Sequence, residues 1–408
     1  MNSEILFQMA LGLESPWKVK EVEFRGMDSG GQSLHLTIGF TAGGKFKDES
    51  GALCPVHDTV KREWRHLNFF EHACILHCAV PRIRDSNGKV VTVEVPWARP
   101  GSGFTLLSEA FAMALIERGM PVSRVGQMLN VNPQRIWNLF RHWVTKARRA
   151  DRLDGITRLG VDETSSKKGH EYVTLAVDLD TARVIHVVPG KDRTTIESLA
   201  GALEAQGGRR EQITQVSMDL SGAFISGVAK VFPKASVTYD RFHLVKLLNE
   251  AMDKVRVAEK LEYENRGNKY TFLKNPENLS DKQRRALPIL LTAFPTLGEA
   301  YRLKVLFNEV WHQPDLACAE AHLRLWCEAA QASNINPMMR FAKTVKSHWS
   351  GIVAFVESKI SNGVLEGINS KVQLAKRNAR GYRNVDNFIN MIYFLCGKLK
   401  FEYPRYFA

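Results

Sequence analysis

Arg158-Leu-Gly-Val-Asp-Glu163 is the stretch on which the fold turns: an apolar run that carries a carboxylate, Asp162, into what reads as the middle or end of a buried strand. Two β-branched runs follow, Glu171-Tyr-Val-Thr-Leu-Ala-Val-Asp178 and Arg183-Val-Ile-His-Val-Val188, joined by Leu179-Asp-Thr-Ala182 as a hairpin connection. Three successive strands make a meander. Thr194 to Glu204 then spaces Ile196, Leu199 and Leu203 as a helix face, with Thr194 or Thr195 as the expected N-cap. Gln212-Ile-Thr-Gln-Val-Ser-Met-Asp219 reads as a further strand, again ending in an acid. A strand-helix-strand crossover returns the chain parallel to the sheet and is right-handed in nearly all cases. If the returning strand lies beside the first, Asp219 and Asp162 are neighbours.

Two carboxylates brought together repel, and each raises the other's pKa unless a cation lies between them. Oxygen ligands of this kind suit Mg²⁺ or Mn²⁺, and two such ions about 3.5–4 Å apart clamp a phosphodiester. A third acid is then required. The block from Ser361 to Arg383 supplies one: Leu365, Ile368, Val372 and Ala375 form an apolar helical stripe, while Glu366 and Asn369 share a face that Ser370 extends. After Glu366 every charge is positive, through Lys371, Lys376, Arg377, Arg380 and Arg383, as a metal ligand beside a DNA backbone needs. Asp240 and His243, where Ala235-Ser-Val-Thr-Tyr-Asp240 runs into a helix, have a strand-end position that could bring them near the acids, but are read first as a helix cap and a hydrogen-bonding residue of the packing layer.

The chain has 408 residues, more than one ordinary core organises, so two or three domains are expected. Its 44% apolar and 24% charged content is that of a folded globular protein. No apolar run reaches membrane-spanning length, and the first fifteen residues lack the basic start and apolar core of a secretory signal. A net charge of +13 and a pI near 9.4 favour a polyanionic partner, nucleic acid foremost. Six cysteines are too sparse for a disulfide scaffold, which fits a reducing cytoplasm.

Upstream, Val19–Phe24 and Ser33–Phe40 alternate as two strands around a Met27–Gly31 turn. Cys54-Pro-Val-His57 has the form of half a zinc site, but Arg84-Asp-Ser-Asn-Gly88, where a second pair is due, holds neither Cys nor His. His66, His72, Cys74, His77 and Cys78 are alternative ligands or ordinary strand residues, and a closed site needs four. Residues 96–103 read as a linker. Beyond it, helices are expected over Phe104–Arg118, Val122–Leu129 and from Pro133 to about Arg149, the last two joined by the tight turn Asn130-Val-Asn132. That spacing is a helix-turn-helix, with Gln134, Arg135, Asn138 and Arg141 toward DNA and Val125, Leu129, Ile136, Leu139 and Phe140 inward. Lys146, Arg148, Arg149 and Arg152 make a basic run suited to phosphates, although a plain helical hairpin would share the pattern. Residues 259–345 are helical throughout and read as an insertion, with Leu303, Phe307, Trp311, Leu323 and Trp326 as core.

Taken together, Gly160-Val-Asp-Glu-Thr164, Val216-Ser-Met-Asp219, Tyr239-Asp-Arg-Phe-His243 and Ser361-Asn-Gly-Val-Leu-Glu-Gly-Ile-Asn369 closely resemble the ISL-three family of bacterial insertion-sequence transposases, over roughly residues 50 to 400. The resemblance implies an α+β multidomain chain: a β-rich, zinc-ribbon-like segment (1–95), a helix-turn-helix (104–150), an RNase H-like core (155–258 and 346–408) and an all-helical insertion (259–345). It implies a DDE triad of Asp162, Asp219 and Glu366 holding Mg²⁺ or Mn²⁺, with Cys54 and His57 matching the first zinc pair and Asp85 and Asn87 standing where the second would be. Implied too are cleavage at terminal inverted repeats and strand transfer to target DNA, in the bacterial cytoplasm at the nucleoid. Pairing two ends calls for a homo-oligomer, at least a dimer. Two rival readings are a catalytically inactive or domesticated DNA-binding regulator, and an RNase H-fold nuclease or resolvase that cuts without strand transfer.

Overall fold

Long runs of alternating apolar and polar residues build the first part of the chain. The computed structural model describes residues 2–27, 30–167, 169, 171–259, 268–358 and 363–404, so Ser361 and Asn362 of the last motif, and the tip of the Met27–Gly31 turn, lie outside the described residues. Two compact units divide the chain, residues 1–147 with 400–408 and residues 148–399. In the first, helix α1 (Ser3–Ala10) precedes strands β1 (Trp17–Gly26), β2 (Gln32–Phe40), β3 (Lys45–Lys47), β4 (Leu53–Arg65), β5 (Ala73–Arg84) and β6 (Val90–Thr92). They form a mixed sheet in the order β1-β2-β5-β4-β3, with β6 on β5 and a parallel β2–β5 pair at its centre. Leu34, Leu36, Ile38 and Leu76 fill its core, closed by Trp17, Trp64 and Trp97, whose rings meet edge-on at 5.0 and 5.6 Å.

Two expectations for this region change. Trp97 and Ala98, read as linker, are buried in the sheet's core, where the Trp97 indole packs edge-on against Trp17 and Trp64. The Cys54–His57 pair forms no knuckle. Both lie in the continuous strand β4, where Cys54 packs toward the core and the exposed His57 sits at a register shift between Val56 and Asp58. Cys74 and Cys78 are buried, while His66 bonds Thr105 and His77 bonds His35. These residues do not fit a closed zinc site.

Three helices follow: α2 (Leu106–Glu117), capped by the Thr105 hydroxyl accepting from Ser108 N–H, α3 (Val122–Met128) and α4 (Pro133–Ala150). Asn130, at φ +52°, makes the left-handed residue that ends α3. Gly126 allows α3 to approach the start of α4, since a Cβ there would lie 3.0–3.2 Å from Val131 and Pro133. Val125, Leu129, Ile136, Leu139 and Phe140 are all buried, as the period predicts. Beneath them lies a fully buried carboxylate. Glu109 accepts from Arg99 Nε (3.0 Å), Ser102 Oγ (2.5 Å) and Trp143 Nε1 (2.7 Å), fastening the 96–103 segment to α2 and α4.

The second unit contains β7 (Arg158–Lys167), β8 (Glu171–Asp178), β9 (Arg183–Pro189), α5 (Arg193–Ala205), β10 (Gln215–Met218), α6 (Gly222–Val231), β11 (Ser236–Tyr239) and α7 (Arg241–Ala258). Its sheet runs β11-β10-β7-β8-β9: the meander is antiparallel, and β10 and β11 return parallel to β7 on its other side. Asp192, not Thr194 or Thr195, caps α5, its carboxylate accepting from Thr194 N–H and Oγ1. Helices α8 (Lys269–Leu273), α9 (Asp281–Ala293), α10 (Pro295–Asn308), α11 (Leu316–Ala332) and α12 (Asn336–Ser347) share one continuous core with the sheet, in which Phe307, Trp326 and Phe341 join Val216, Met218 and Leu244. Then come α13 (Trp349–Ser358), packed on β11, α14 (Gly363–Asn378) and α15 (Val385–Cys396).

Removing the Glu109 carboxylate leaves Arg99 and the Trp143 N–H without their acceptor in the interior. Glu109→Ala is expected to destabilise the protein by about 3 kcal/mol, the scale for breaking a buried pair, read as a lower denaturation midpoint. A variant as stable as the parent contradicts the role given to this cluster.

Candidate active site and DNA-facing helix

Asp162 sits in mid-strand on β7 with both oxygens held: Oδ1 accepts from Glu163 N–H at 2.8 Å and Oδ2 from Asn369 Nδ2 at 2.6 Å. Burial pushes its carboxyl up to about 6; those two hydrogen bonds and His243 oppose the rise, and Asp219 adds to it. Asp219 is close because β10 runs parallel to β7 with Ser217 opposite Gly160, and two further residues along each strand bring Asp219 level with Asp162. Just past the strand, Asp219 Oδ1 accepts from Ser221 N–H at 2.9 Å. On the next strand, Asp240 N–H donates to Met218 O at 2.9 Å. The Asp240 carboxylate caps α7 through Phe242 N–H and lies 3.7 Å from His243 Nε2, so its reading as a cap holds. Glu163 is a further acid of the cluster: burial raises its carboxyl while Lys191, 3.8 Å away, favours its charge.

Helix α14 lies along β7, and its spacing meets the strand rung by rung. Leu365 packs over Gly160, where a Cβ would come within 3.2 Å of its methyls. One turn on, Asn369 binds Asp162; Gln373 Nε2 then donates to Thr164 Oγ1 at 2.7 Å, and Lys376 Nζ to Ser165 O at 2.7 Å. Glu366 projects from the first turn of α14, exposed and three residues before Asn369, hence on the helix face adjoining Asp162. Among the described residues no three His, Cys, Asp or Glu side chains converge on one point tightly enough to hold a metal ion as they stand. The structure thus couples Asp162 with Asp219 and sets Glu366 one helical turn before Asn369, the residue that binds Asp162.

In the helix-turn-helix, Gln134, Asn138 and the partly exposed Arg141 make one polar stripe of α4, linked by hydrogen bonds of 3.0 and 2.6 Å to Asn138 Oδ1. Arg135 folds back, its guanidinium 4.5 Å over the Phe104 ring and donating to Gly103 O. Arg148 is likewise engaged, 3.6 Å over the ring of Tyr393, whose hydroxyl accepts from Val187 N–H. Lys376 is tied to β7, whereas Arg149, Lys371, Arg377 and Arg380 are exposed. Long side chains with an apolar stem pack as readily as they solvate, and sequence does not reveal which.

Residues 159–392 match a family described as Transposase, and residues 93–144 match the helix-turn-helix domain of transposase family ISL3. The chain belongs to the ISL3 family of transposases. The transposase for insertion sequence element IS1557 of Mycobacterium tuberculosis is 27% identical to it, over 94% of this chain and 93% of the relative. The transposase for insertion sequence element IS1001 of Bordetella parapertussis is 28% identical, over 93% of this chain and 95% of the relative. A transposase domain and a helix-turn-helix of this family make DNA the partner of this transposase. Among the described residues no helix is long and apolar enough to cross a membrane.

Because Asp162 binds its proton more tightly folded than unfolded, its contribution favours the fold below pH 3.8 and turns against it as pH rises to about 6. With chelator present, the parent protein is expected to lose up to about 3 kcal/mol of stability relative to Asp162→Ala between pH 4 and 7. Stability curves that stay parallel across that range contradict the buried placement of this carboxylate.

Proposed function

We propose that this transposase cleaves DNA at the terminal inverted repeats of its element and transfers the strand to target DNA, using Asp162, Asp219 and Glu366 as a DDE triad. The observation that carries this reading is the approach of Asp219, just past β10, to Asp162 on the adjoining parallel strand β7, beneath the helix that bears Glu366. An antiparallel meander flanked by two parallel strands supports an RNase H-like core for residues 155–258 with 346–408. The helices of 259–345 then form the insertion, and residues 104–150 recognise the ends.

The donors at this site are carboxylate oxygens, which fit Mg²⁺ or Mn²⁺ rather than a soft metal. When bound, such ions activate a water or a 3′-hydroxyl and stabilise the leaving 3′-oxygen. The chain's own part is to hold the desolvated Asp162 beside Asp219, so that their mutual repulsion favours a cation. Lys371, Arg377 and Arg380, exposed along and just beyond α14, provide phosphate contacts next to the acids. In α4, Gln134, Asn138 and Arg141 face the base edges of the ends. Two ends are held by at least two copies of the chain.

Each of Asp162→Ala, Asp219→Ala and Glu366→Gln is expected to lower Mg²⁺-dependent end cleavage by about a thousandfold or more, as when one member of a catalytic unit is removed. Binding to end DNA should persist in all three. Ordinary cutting by Asp162→Ala in an end-cleavage assay would sink the assignment.

A further inference from the structure

We propose that Asn369 is a positioning residue of the metal site: its amide nitrogen fixes the Asp162 carboxylate and so sets the direction in which that carboxylate meets the ion. This rests on the reading of Asp162 as a metal ligand and extends it to a residue outside the triad.

The partner of the amide fixes its orientation. A carboxylate offers only acceptors, so the group 2.6 Å from Asp162 Oδ2 must be the NH₂, and the amide oxygen must face elsewhere. That oxygen, Oδ1, is buried, and among the described residues no donor meets it. Buried acceptors are rarely left so; here the amide keeps its nitrogen on Asp162 although its oxygen goes unmet. Asn249, Asn308, Asn387 and Asn390 also carry buried, unmet oxygens, and the nitrogens of Asn308 and Asn390 donate to carbonyls of their own helices, Lys304 O and Asp386 O. Asn369 differs in that its nitrogen donates to a carboxylate of the site.

Chemistry and position agree. An asparagine donating to a liganding carboxylate fixes the direction of that carboxylate's free lone pairs, the work second-layer partners do at metal centres. Asn369 is suited to this task because Leu365, Gln373 and Lys376 pin the helix on either side of it.

The test uses the full-length protein with Mn²⁺ as the probe, titrated by electron paramagnetic resonance, and the Mg²⁺ dependence of end cleavage. Asn369→Ala and Asn369→Leu, the second filling the same volume without either polar atom, should bind Mn²⁺ about 10- to 100-fold more weakly. Both should need correspondingly more Mg²⁺ for half-maximal cleavage and recover much of their rate at saturating metal. A merely structural role would lower the unfolding midpoint in chelator and leave Mn²⁺ affinity unchanged in the folded protein, and that result overturns the proposal. Asp162→Ala separates the two claims. If it binds Mn²⁺ as the parent does, the metal-site reading itself fails; if it loses Mn²⁺ while the Asn369 variants keep it, only the role of Asn369 fails.

Discussion

The hydrogen-bonded seam between α14 and β7 is the constraint on which this half of the molecule depends. Asn369 to Asp162, Gln373 to Thr164 and Lys376 to Ser165 fasten a helix to a strand some two hundred positions earlier in the chain. Gly160 admits Leu365 at the head of the seam, where a larger residue would lift the helix away. The intervening helices do not stand apart from this arrangement. They bury their aromatic residues in the core beneath β10 and β11, and α13 lies so close to β11 that Gly351 leaves no room for a Cβ beside the Tyr239 ring. The chain therefore leaves α13 already aligned with the sheet and lays α14 along β7.

Energetically the acidic pair carries a cost that its hydrogen bonds do not cancel. Asp162 is desolvated, coupled unfavourably to Asp219, and helped by one backbone amide, one asparagine and a histidine. Those partners do not fully offset the burial, so at neutral pH the folded chain keeps charge where water is scarce. Active sites commonly store such a mismatch for use in binding. A divalent ion held between the acids would convert repulsion into attraction, which couples metal binding to the stability of this unit. Glu109 in the other unit shows the opposite solution, a fully buried carboxylate with Arg99, Ser102 and Trp143 on its oxygens.

Much of this was legible in the sequence wherever a period or a strand end decided the matter. The β-branched runs gave β8 and β9, the apolar spacing gave α4 and its buried face, and an acid at the end of an apolar run placed Asp162 and Asp219 on neighbouring strands. Other features depend on contacts that no local pattern carries. Trp97 looked like linker because Pro and Gly surround it, yet it closes a core formed by strands far from it in sequence. Cys54 and His57 have the spacing of a knuckle, but β4 runs straight through them. Arg135, read as facing DNA, and Arg148, read in the basic run, each lie over an aromatic ring, a contact that no local pattern carries. Asn369 was seen to share a face with Glu366; its bond to Asp162 follows only from tertiary packing.

The central claim is that Asp162, Asp219 and Glu366 serve one pair of ions. Its most direct measurement is anomalous diffraction from crystals of the protein soaked in Mn²⁺. The account predicts peaks between Asp162 and Asp219, with two ions about 3.5–4 Å apart and a Glu366 oxygen among the ligands. Manganese bound away from the aspartates, or Glu366 turned to solvent with both metal positions filled by other groups, would contradict it.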